Sequence, residues 1–435
     1  MASTALLTDH YELTMVDAAL RSGAATRRCA FEVFARSLPG QRRYGVFAGL
    51  GRLVEAITMF SFDTDAIEFL AARGVVDAAT CEWLASYRFG GSIDGYAEGE
   101  VHFPGSPVLT VEGSFAECVV LETLVLSVLN HDSAVATAAA RMTGAAAGRP
   151  CIEMGSRRTH EVAATASARA AYVGGFDATS NLAAGERWGI PTTGTAAHAF
   201  TLVHDDERSA FAAQVEALGV GTTLLVDTYD VEAGIRTAVE VAGPSLGAIR
   251  LDSGDLPTQA REARRLLDAM GATKTRIVVT SDLDEHAIAA LASAPVDGYG
   301  VGTSVATGSG VPTAGFVYKL VAREDGTGAM RPVEKRSAGK TSAGGRKHAS
   351  RRLAHGIAVA EVLRIGPGDI AVDERPLQLA VMRDGDAVAV DALADARERC
   401  RRSLAELPPH AMKLSAGEPA IETVVEPPKS ETIKP

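Results

Sequence analysis

The stretch of sequence that decides the fold is residues 222–255, which read TTLLVDTYDVEAGIRTAVEVAGPSLGAIRLDSGD. A short apolar run rich in β-branched residues (222–226) is followed by an amphipathic segment (231–242) and by a second apolar run (246–251). Alternation of strand and helix patterns predicts parallel strands joined by helical crossovers. The stretch therefore predicts one repeating unit of an α/β fold.

The same alternation extends from about residue 151 to residue 321. Short apolar runs predict strands at 151–154, 175–178, 190–194, 222–226, 246–251, 276–279, 298–301 and 316–321. Amphipathic segments predict helices at 207–218, 231–242, 256–270 and 284–292. Six or more strand–helix units in ~170 residues are typical of a closed or nearly closed barrel. We therefore expect an irregular TIM-like α/β barrel, with a catalytic domain at residues 113–322.

The sequence on either side of the barrel has a different pattern. Isolated strands are predicted at 31–36, 43–48, 92–97, 101–103, 107–111, 357–363 and 378–383, and helices at 121–129 and 134–147. We expect residues 1–112 and 323–412 to form one discontinuous α+β domain from the N- and C-terminal segments. The Pro- and Glu-rich residues 413–435 are expected to be a disordered tail.

Composition excludes several classes of protein. The net charge of −11 argues against nucleic-acid binding, which needs a basic surface. The five cysteines are scattered and show no CxxC spacing, so we expect neither a disulfide framework nor a structural zinc site. The sequence contains no run of 18 apolar residues and no signal-peptide pattern at its start. We therefore expect a cytoplasmic protein with no membrane contact.

Polar residues follow nearly every predicted barrel strand. They lie at 155–158, 179–181, 195–198, 227–230, 252–255, 280–282 and 302–304. A single polar residue at such a point is usually a helix cap. Because the carboxyl ends of parallel strands meet at one end of a barrel, seven polar strand ends together predict an active site.

The chemistry of these residue types indicates a phosphorylated sugar as the ligand. The glycine-rich residues 300–304 allow backbone N–H groups to approach a phosphate. Asp252, Asp255 and Asp282 can hold either ribose hydroxyls or Mg²⁺. Arg157 and Arg158 suit a bidentate grip on a carboxylate or a phosphate.

One histidine and one group of lysines stand out from the rest of the chain. His198 follows a predicted strand end, where it can act as a general base, a phosphate ligand or a nucleophile. Four of the eight lysines, Lys319, Lys335, Lys340 and Lys347, lie close together in sequence. They form either a solvated loop or a site for a polyanion, because clustered ammonium groups repel one another without a counter-charge.

The order of these motifs resembles that of the nicotinate phosphoribosyltransferases of NAD salvage, from Leu6 to about Arg351. The motifs are LTDHYELTM at 7–15, FEVFAR at 31–36, EMGSRR at 153–158, GGFDATSN at 174–181, GTAAH at 194–198, VDTYD at 226–230, RLDSGD at 250–255 and TSD at 280–282. The residue after the histidine is usually serine in this family, and here it is Ala199. That departure bears on the hydrogen bonding around His198.

The resemblance implies how the substrates are bound. Tyr11 stacks on the pyridine ring from a partner subunit of a homodimer. Arg157 or Arg158, together with Arg250, holds the nicotinate carboxylate and the ribosyl group. The remaining substrate-binding residues are Asp252 and Asp282 at the ribose, Gly302, Thr303 and Ser304 at the 5′-phosphate, and Ser180, Asn181 and Thr195. The diphosphate-binding residues are Arg36, Lys319, Lys335 and Lys340.

The resemblance also implies the reaction. The 5-phosphoribosyl group passes from phosphoribosyl diphosphate to nicotinate with Mg²⁺ as cofactor, Asp252 and Asp255 being its candidate ligands. ATP is the co-substrate, and it phosphorylates His198; Arg250 and Asp252 complete the catalytic set. The neutral side chain of Asn181 favours nicotinate, because nicotinamide-using relatives place an aspartate at the position that aligns with it. The alternatives are a quinolinate or nicotinamide phosphoribosyltransferase, or a non-catalytic homologue that senses nicotinate.

Overall fold

The computed structural model describes residues 3–335, 344–366, 369–388 and 391–426. The chain divides into two compact units. The first comprises Met1–Ala134 together with Val311–Pro435, and the second comprises Val135–Gly310. The first unit is therefore discontinuous in sequence, with its own boundaries at residues 134 and 311 rather than at 112 and 322.

The helices and strands of the described residues follow in chain order. The α-helices are α1 (His10–Ser22), α2 (Leu50–Thr58), α3 (Thr64–Arg73), α4 (Ala78–Ser86), α5 (Phe115–Val119), α6 (Glu122–Ala146), α7 (Glu161–Val173), α8 (Leu182–Trp188), α9 (His198–Leu202), α10 (Glu207–Leu218), α11 (Val231–Ala242), α12 (Leu256–Ala269), α13 (Glu285–Ala290), α14 (Thr303–Ala306) and α15 (Leu393–Ala405). The strands are β1 (Arg28–Ala35), β2 (Gly45–Val46), β3 (Ser92–Tyr96), β4 (Val101–His102), β5 (Leu109–Ser114), β6 (Cys151–Glu153), β7 (Ala178–Thr179), β8 (Thr223–Leu225), β9 (Ala248–Leu251), β10 (Arg276–Val279), β11 (Gly298–Val301), β12 (Phe316–Glu324), β13 (Met330–Pro332), β14 (Lys347–Ala354), β15 (Ile357–Ile365), β16 (Glu374–Pro376), β17 (Gln378–Arg383), β18 (Asp386–Ala387) and β19 (Glu422–Glu426).

The Val135–Gly310 unit is built on a parallel sheet. Its strand order is β7-β6-β11-β10-β9-β8, and helices connect successive strands. All four residues of β11 are buried, as expected for a central strand covered on both faces. The sheet is a curled half-barrel, and the carboxyl ends of its strands share one edge.

Two of the strands expected in this barrel are not part of its sheet. Residues 190–194 form only an isolated bridge between Thr192 and Thr179, since Pro191 has no N–H to donate to a ladder. The run expected at 316–321 forms β12, which pairs antiparallel with β1 in the other unit. Its burial alternates over the first four residues, a pattern typical of antiparallel strands. The expected irregular TIM-like α/β barrel is therefore confirmed in part, since the sheet is parallel and curled but forms a half-barrel.

The discontinuous unit contains mainly antiparallel sheet. Its larger sheet has the order β13-β12-β1-β5-β3-β17-β18, so that N- and C-terminal strands are interleaved. A second sheet has the order β16-β14-β15-β19, in which β19 pairs parallel with β15. Residues 422–426 are therefore a strand, which corrects the expectation of a disordered tail from 413 onward. Residues 427–435 lie outside the described part of the chain.

A single long helix, α6, replaces the two helices expected at 121–129 and 134–147. No Gly or Pro separates those two segments, so nothing interrupts the helical hydrogen bonds. In the described residues, the segment Phe115–Ala146 is the one stretch of helix that is long and apolar enough to cross a membrane. Two thirds of its most apolar 18-residue window is buried inside the protein, as in a core helix.

Candidate active site

The carboxyl ends of the parallel strands surround a cavity of about 270 Å³. Its walls come from the segments that follow β6, β9, β10 and β11. The residues that line it are Met154, Arg157, Arg158, Arg250, Asp252, Thr280, Ser281, Asp282, Gly300, Gly302 and Thr303. The cavity thus combines three guanidinium groups, two carboxylates and a glycine-rich segment, a set of groups that can bind a phosphorylated sugar.

Several polar residues at the same edge of the sheet have a different task. The side chains of Asn181, Asp230, Asp255 and Asp284 accept backbone N–H groups at the starts of α8, α11, α12 and α13. These residues satisfy N–H groups that have no partner within their own helix. Asp and Asn side chains can serve either as helix caps or as ligands. In these four residues the side chain is a helix cap.

Arg250 and Asp252 project from β9 and from the residue after it into the cavity. Arg250 Nη1 donates to Thr195 Oγ1 at 3.1 Å, whereas its buried Nε meets no hydrogen-bond partner within the fully described Val135–Gly310 unit. Burial lowers the pKa of Arg250, and the charges of Asp252 and Asp227 oppose that shift. The Thr280 hydroxyl donates to Asp252 Oδ1. Arg250 therefore has an unused donor where an anionic ligand can accept from it.

His198 is the first residue of α9 rather than the end of a strand. Its Nε2 lies 3.0 Å from Oδ1 of Asp227, which lies two residues after the end of β8. The Asp227 side chain is 1% exposed and that of His198 is 40% exposed. A buried carboxylate beside Nε2 holds the proton on that nitrogen, so the lone pair of a neutral imidazole is on Nδ1. The arrangement orients a histidine as a nucleophile or base toward solvent.

Asp227 also links His198 to the cavity. Its Oδ2 accepts the backbone N–H of Asp252 at 2.8 Å and the Ser253 hydroxyl at 2.9 Å. Near it, burial together with the charges of Asp227 and Asp230 raises the pKa of Glu207 to about 7. Oδ1 of Asp227 therefore contacts His198, and Oδ2 contacts the loop after β9. Glu207 is a second carboxyl group close to this pair.

Asn181 is held by internal contacts. Its Nδ2 donates to Ser156 Oγ at 3.0 Å, and its Oδ1 accepts the Ala184 N–H at 2.9 Å. The hydroxyl of Ser180 is exposed next to it. The amide of Asn181 therefore ties the segment after β6 to that after β7, and Ser180 is the more accessible of the two.

Two glycines next to the cavity lie too close to neighbouring segments to carry a side chain. A Cβ atom on Gly300 would lie 2.5 Å from Thr280 Cγ2 and 2.8 Å from Met154 Sδ. A Cβ atom on Gly155 would lie 2.7 Å from the Cβ of Ala306. All three distances are far below van der Waals contact, so larger residues at 155 and 300 would displace the neighbouring segments.

The site suits a metal ion only with help from a substrate. In the described residues, no group of three or more His, Cys, Asp and Glu side chains is arranged to hold a metal. Asp252 and Asp282 line the cavity, but the Asp255 carboxylate accepts from Thr258 as a helix cap. Mg²⁺ commonly binds one or two carboxylates together with substrate phosphates. Asp252 and Asp282 therefore fit such an ion better than the expected pair of Asp252 and Asp255.

The discontinuous unit carries the other residues expected at the site. Burial and the nearby charges of Glu122, Glu12 and Asp9 raise the pKa of Tyr11 to about 12. Lys319 Nζ lies 3.8 Å from Glu122 Oε1. Arg36 and Lys335 are exposed, and Lys340 lies outside the described residues. The charge of Glu122 thus acts on both Tyr11 and Lys319.

Sequence reasoning did not assign Asp227, Glu122, Met154 or Thr280. Asp227 and Thr280 carry the same signal as Asp252, since each follows a parallel strand. Glu122 carries no comparable signal, because it begins a long apolar helix. Four of the expected substrate-binding residues lie in the same unit as the cavity but do not line it, namely Ser180, Asn181, Thr195 and Ser304.

A family model, several sequence relatives and a solved structure name the same family. Residues 6–130 match the model of the nicotinate phosphoribosyltransferase (NAPRTase) N-terminal domain. The chain is 60% identical over 429 residues to nicotinate phosphoribosyltransferase pncB1 of Mycobacterium tuberculosis, which covers 96% of this chain and 94% of that protein. It is 39% identical over 332 residues to nicotinate phosphoribosyltransferase of Bacillus subtilis, covering 74% and 68% of the two chains. Its structure resembles the crystal structure of human nicotinic acid phosphoribosyltransferase with a TM-score of 0.83 at 26% identity, over 96% of this chain and 97% of that one.

Proposed function

The chain belongs to the nicotinate phosphoribosyltransferase family, and on that premise we propose that it makes nicotinate mononucleotide from nicotinate and phosphoribosyl diphosphate with the help of ATP. Nicotinate phosphoribosylation is its activity, and this reaction belongs to NAD salvage. The observation that carries the finer proposal is the His198–Asp227 pair beside a cavity lined by arginines and carboxylates.

The cavity supports a role in orienting two reactants. The pyridine nitrogen of nicotinate attacks the anomeric carbon as the bond to the diphosphate oxygen breaks, and the diphosphate leaves with that electron pair. Arg250, with Arg157 or Arg158, holds the nicotinate carboxylate, and the carboxylates of Asp252 and Asp282 face the ribose, whose positive charge rises in the transition state. Gly302, Thr303 and Ser304 bind the 5′-phosphate through the N–H groups and hydroxyls at the start of α14.

We also propose that Mg²⁺ takes part in this reaction. When bound, it neutralises charge on the leaving diphosphate. Asp252 and Asp282 hold it together with substrate oxygens. Arg36, Lys319, Lys335 and Lys340 are proposed to bind the same diphosphate.

The histidine pair supports coupling to ATP. Nδ1 of His198 attacks the γ-phosphorus of ATP, forming a P–N bond as the bond to the ADP oxygen breaks. Asp227 keeps the proton on Nε2, which leaves Nδ1 nucleophilic and stabilises the ring as it gains positive charge. Ala199 provides no hydroxyl beside this pair, so Asp227 is the orienting group.

We also propose how the enzyme assembles and where in the cell it is located. We infer a homodimer in which Tyr11 of one subunit stacks on the nicotinate ring bound by the other, which accounts for its exposed position. We also infer a cytoplasmic location, since all five cysteines are buried free thiols.

Incubation with nicotinate, phosphoribosyl diphosphate and Mg²⁺, with and without ATP, tests the proposal. We expect diphosphate release with nicotinate, stimulated by ATP. Release only with quinolinate or only with nicotinamide would identify one of the alternative enzymes, and no release with any base would favour a non-catalytic homologue. Mass spectrometry after incubation with ATP should find an acid-labile phosphate that is lost in His198→Ala.

A further inference from the structure

One buried carboxylate joins the two segments that are proposed to hold the phosphoribosyl group. Glu285 is 3% exposed and lies in the first turn of α13, three residues after Asp282. Its Oε2 accepts the Ser309 hydroxyl at 2.5 Å. Its Oε1 accepts Arg141 Nε at 2.9 Å from helix α6. Glu285 therefore connects the loop after β10 to the end of the glycine-rich segment after β11.

Ser309 is in turn hydrogen-bonded to the proposed phosphate site. Its backbone N–H donates to the carbonyl oxygen of Ser304 at 2.5 Å. Ser304 lies in α14, directly after Gly302 and Thr303. The position of the glycine-rich segment is therefore fixed at its far end by a side chain of the neighbouring loop.

Backbone strain lies on both sides of this connection. Ser281 has a φ of 127° and Ser309 a φ of 55°, which are unfavourable for residues with a Cβ atom. Strained conformations of this kind persist where the surrounding contacts hold them. Glu285 accepts a hydrogen bond from the Ser309 hydroxyl and lies four residues after Ser281. The strain thus falls at the two loops that Glu285 joins.

The charge state of Glu285 suits a permanent contact. Burial is the largest single influence and acts to raise its pKa, but the hydrogen bonds it accepts and the charge of Arg141 together lower the pKa below its usual value. The carboxylate therefore remains ionised at neutral pH and accepts from both donors.

We propose that Glu285, through Ser309, is a positioning residue that sets the spacing between the loop bearing Asp282 and the phosphate-binding segment Gly302–Ser304. The inference rests on the proposed function, in which these two segments hold the ribose and the 5′-phosphate of one ligand. A ligand that spans both segments gains from their fixed separation, because its two ends are covalently linked. A ligand that contacts only one segment does not.

Ser309→Gly is the principal variant. Glycine accepts the left-handed backbone of this position, and the change removes the hydroxyl while the Arg141–Glu285 pair stays in place. Ser309→Asn is the matched control, because asparagine also tolerates this conformation and offers an amide donor to Glu285. Glu285→Gln tests the carboxylate itself, and its melting temperature reports any loss of folding.

Isothermal titration of the full-length protein should distinguish a spacing effect from general damage. For Ser309→Gly we expect the Kd of ribose 5-phosphate to rise about tenfold, as for loss of one hydrogen bond to a charged group. The Kd of inorganic phosphate should change by at most about twofold by the same reasoning. Ser309→Asn should recover most of the affinity for ribose 5-phosphate, and the KM for nicotinate should not change.

Three results would overturn the proposal. They are an unchanged Kd of ribose 5-phosphate in Ser309→Gly, an equal loss of affinity for both probes, and a wild-type protein that binds ribose 5-phosphate no better than inorganic phosphate. Failure of the wild type to form nicotinate mononucleotide would instead contradict the proposed function, since these binding measurements require no turnover.

Discussion

Nε2 of His198 lies 3.0 Å from Oδ1 of Asp227, and the other oxygen of that carboxylate accepts the backbone N–H of Asp252. One buried side chain therefore orients the proposed phosphate carrier and also fixes the start of the loop that bears a proposed catalytic carboxylate. This arrangement joins the part of the site proposed to react with ATP to the part proposed to hold the phosphoribosyl group.

Replacing Asp227 by asparagine should impair phosphorylation of His198. An amide can present its NH₂ group to Nε2, which moves the ring proton to Nδ1 and removes the nucleophilic lone pair. By analogy with other histidine–carboxylate pairs, we expect the rate of phosphohistidine formation to fall on the order of 100-fold or more. Rapid-quench labelling with γ-phosphate-labelled ATP measures it.

Asp230→Asn is the control for this change. It makes the same alteration of charge three residues away, and asparagine preserves the cap on α11. Equal rates of labelling in wild type and Asp227→Asn would show that Asp227 does not orient His198.

Replacing Arg250 by lysine should weaken the use of nicotinate. Lysine lacks the planar fork that can bond Thr195 and a carboxylate at the same time. The expected loss in kcat/KM for nicotinate is about 10- to 100-fold, which corresponds to ~1.5–3 kcal/mol for hydrogen bonds to a charged group. Steady-state kinetics at saturating phosphoribosyl diphosphate provide the measurement, and Arg276→Lys, at the exposed start of β10, is the control. A loss of similar size in both variants would count against the role of Arg250.

The sequence predicted individual parallel strands well but did not predict how they assemble. The strands β10 and β11 have the bounds that their short apolar runs indicated, because each run is limited by polar or turn residues. The run at 316–321 is equally apolar, yet it belongs to an antiparallel sheet. The partner of a strand depends on contacts between distant residues, which a local pattern does not contain.

The same limit applies to the site. Polar strand ends located the cavity, but the residue types were the same for side chains that face it and for helix caps such as Asp255. The pairing of His198 with Asp227 joins residues 29 positions apart. Such a pairing becomes visible only once the parallel strands place both residues at one edge of the sheet.

Replacing Glu207 by glutamine should stabilise the protein in mildly alkaline solution. Burial and the charges of Asp227 and Asp230 raise its pKa to about 7, whereas the unfolded chain has the ordinary value of 4.5. Between these two values the unfolded state binds fewer protons, so the unfolding free energy of the wild type falls as the pH rises. The variant should therefore melt at a higher temperature than the wild type at pH 8.

Thermal melts from pH 5 to pH 8 check this expectation. The advantage of Glu207→Gln should grow with pH up to about 7 and then remain constant. Glu216→Gln removes an exposed carboxylate from the same helix and should show no such trend. A pH-independent difference for Glu207→Gln would argue against a raised pKa.

Replacing His102 by leucine should stabilise the discontinuous unit. His102 is 1% exposed, and neither ring nitrogen meets a hydrogen-bond partner among the described residues. Burial, and to a smaller extent the charge of Arg351, lowers its pKa from the ordinary 6.5 to about 3. The unfolded state binds more protons between these two values, so the wild type loses stability as the pH falls below 6.5. We expect His102→Leu to raise the free energy of unfolding at pH 7 by about 1 kcal/mol, the cost of leaving polar atoms buried without partners.

Urea denaturation at pH 7 and pH 5 measures both effects. The ring packs against Gly45 and lies 4.9 Å from the ring of Phe316, between centroids, so a side chain of similar volume fits the space. The gain from His102→Leu should be larger at pH 5 than at pH 7, because the wild type alone must keep an imidazole neutral against its tendency to bind a proton. His286→Leu, at an exposed position on α13, should leave this pH dependence unchanged. A lower unfolding free energy for His102→Leu would mean that the imidazole has a bonding partner, such as a buried water molecule, in the folded protein.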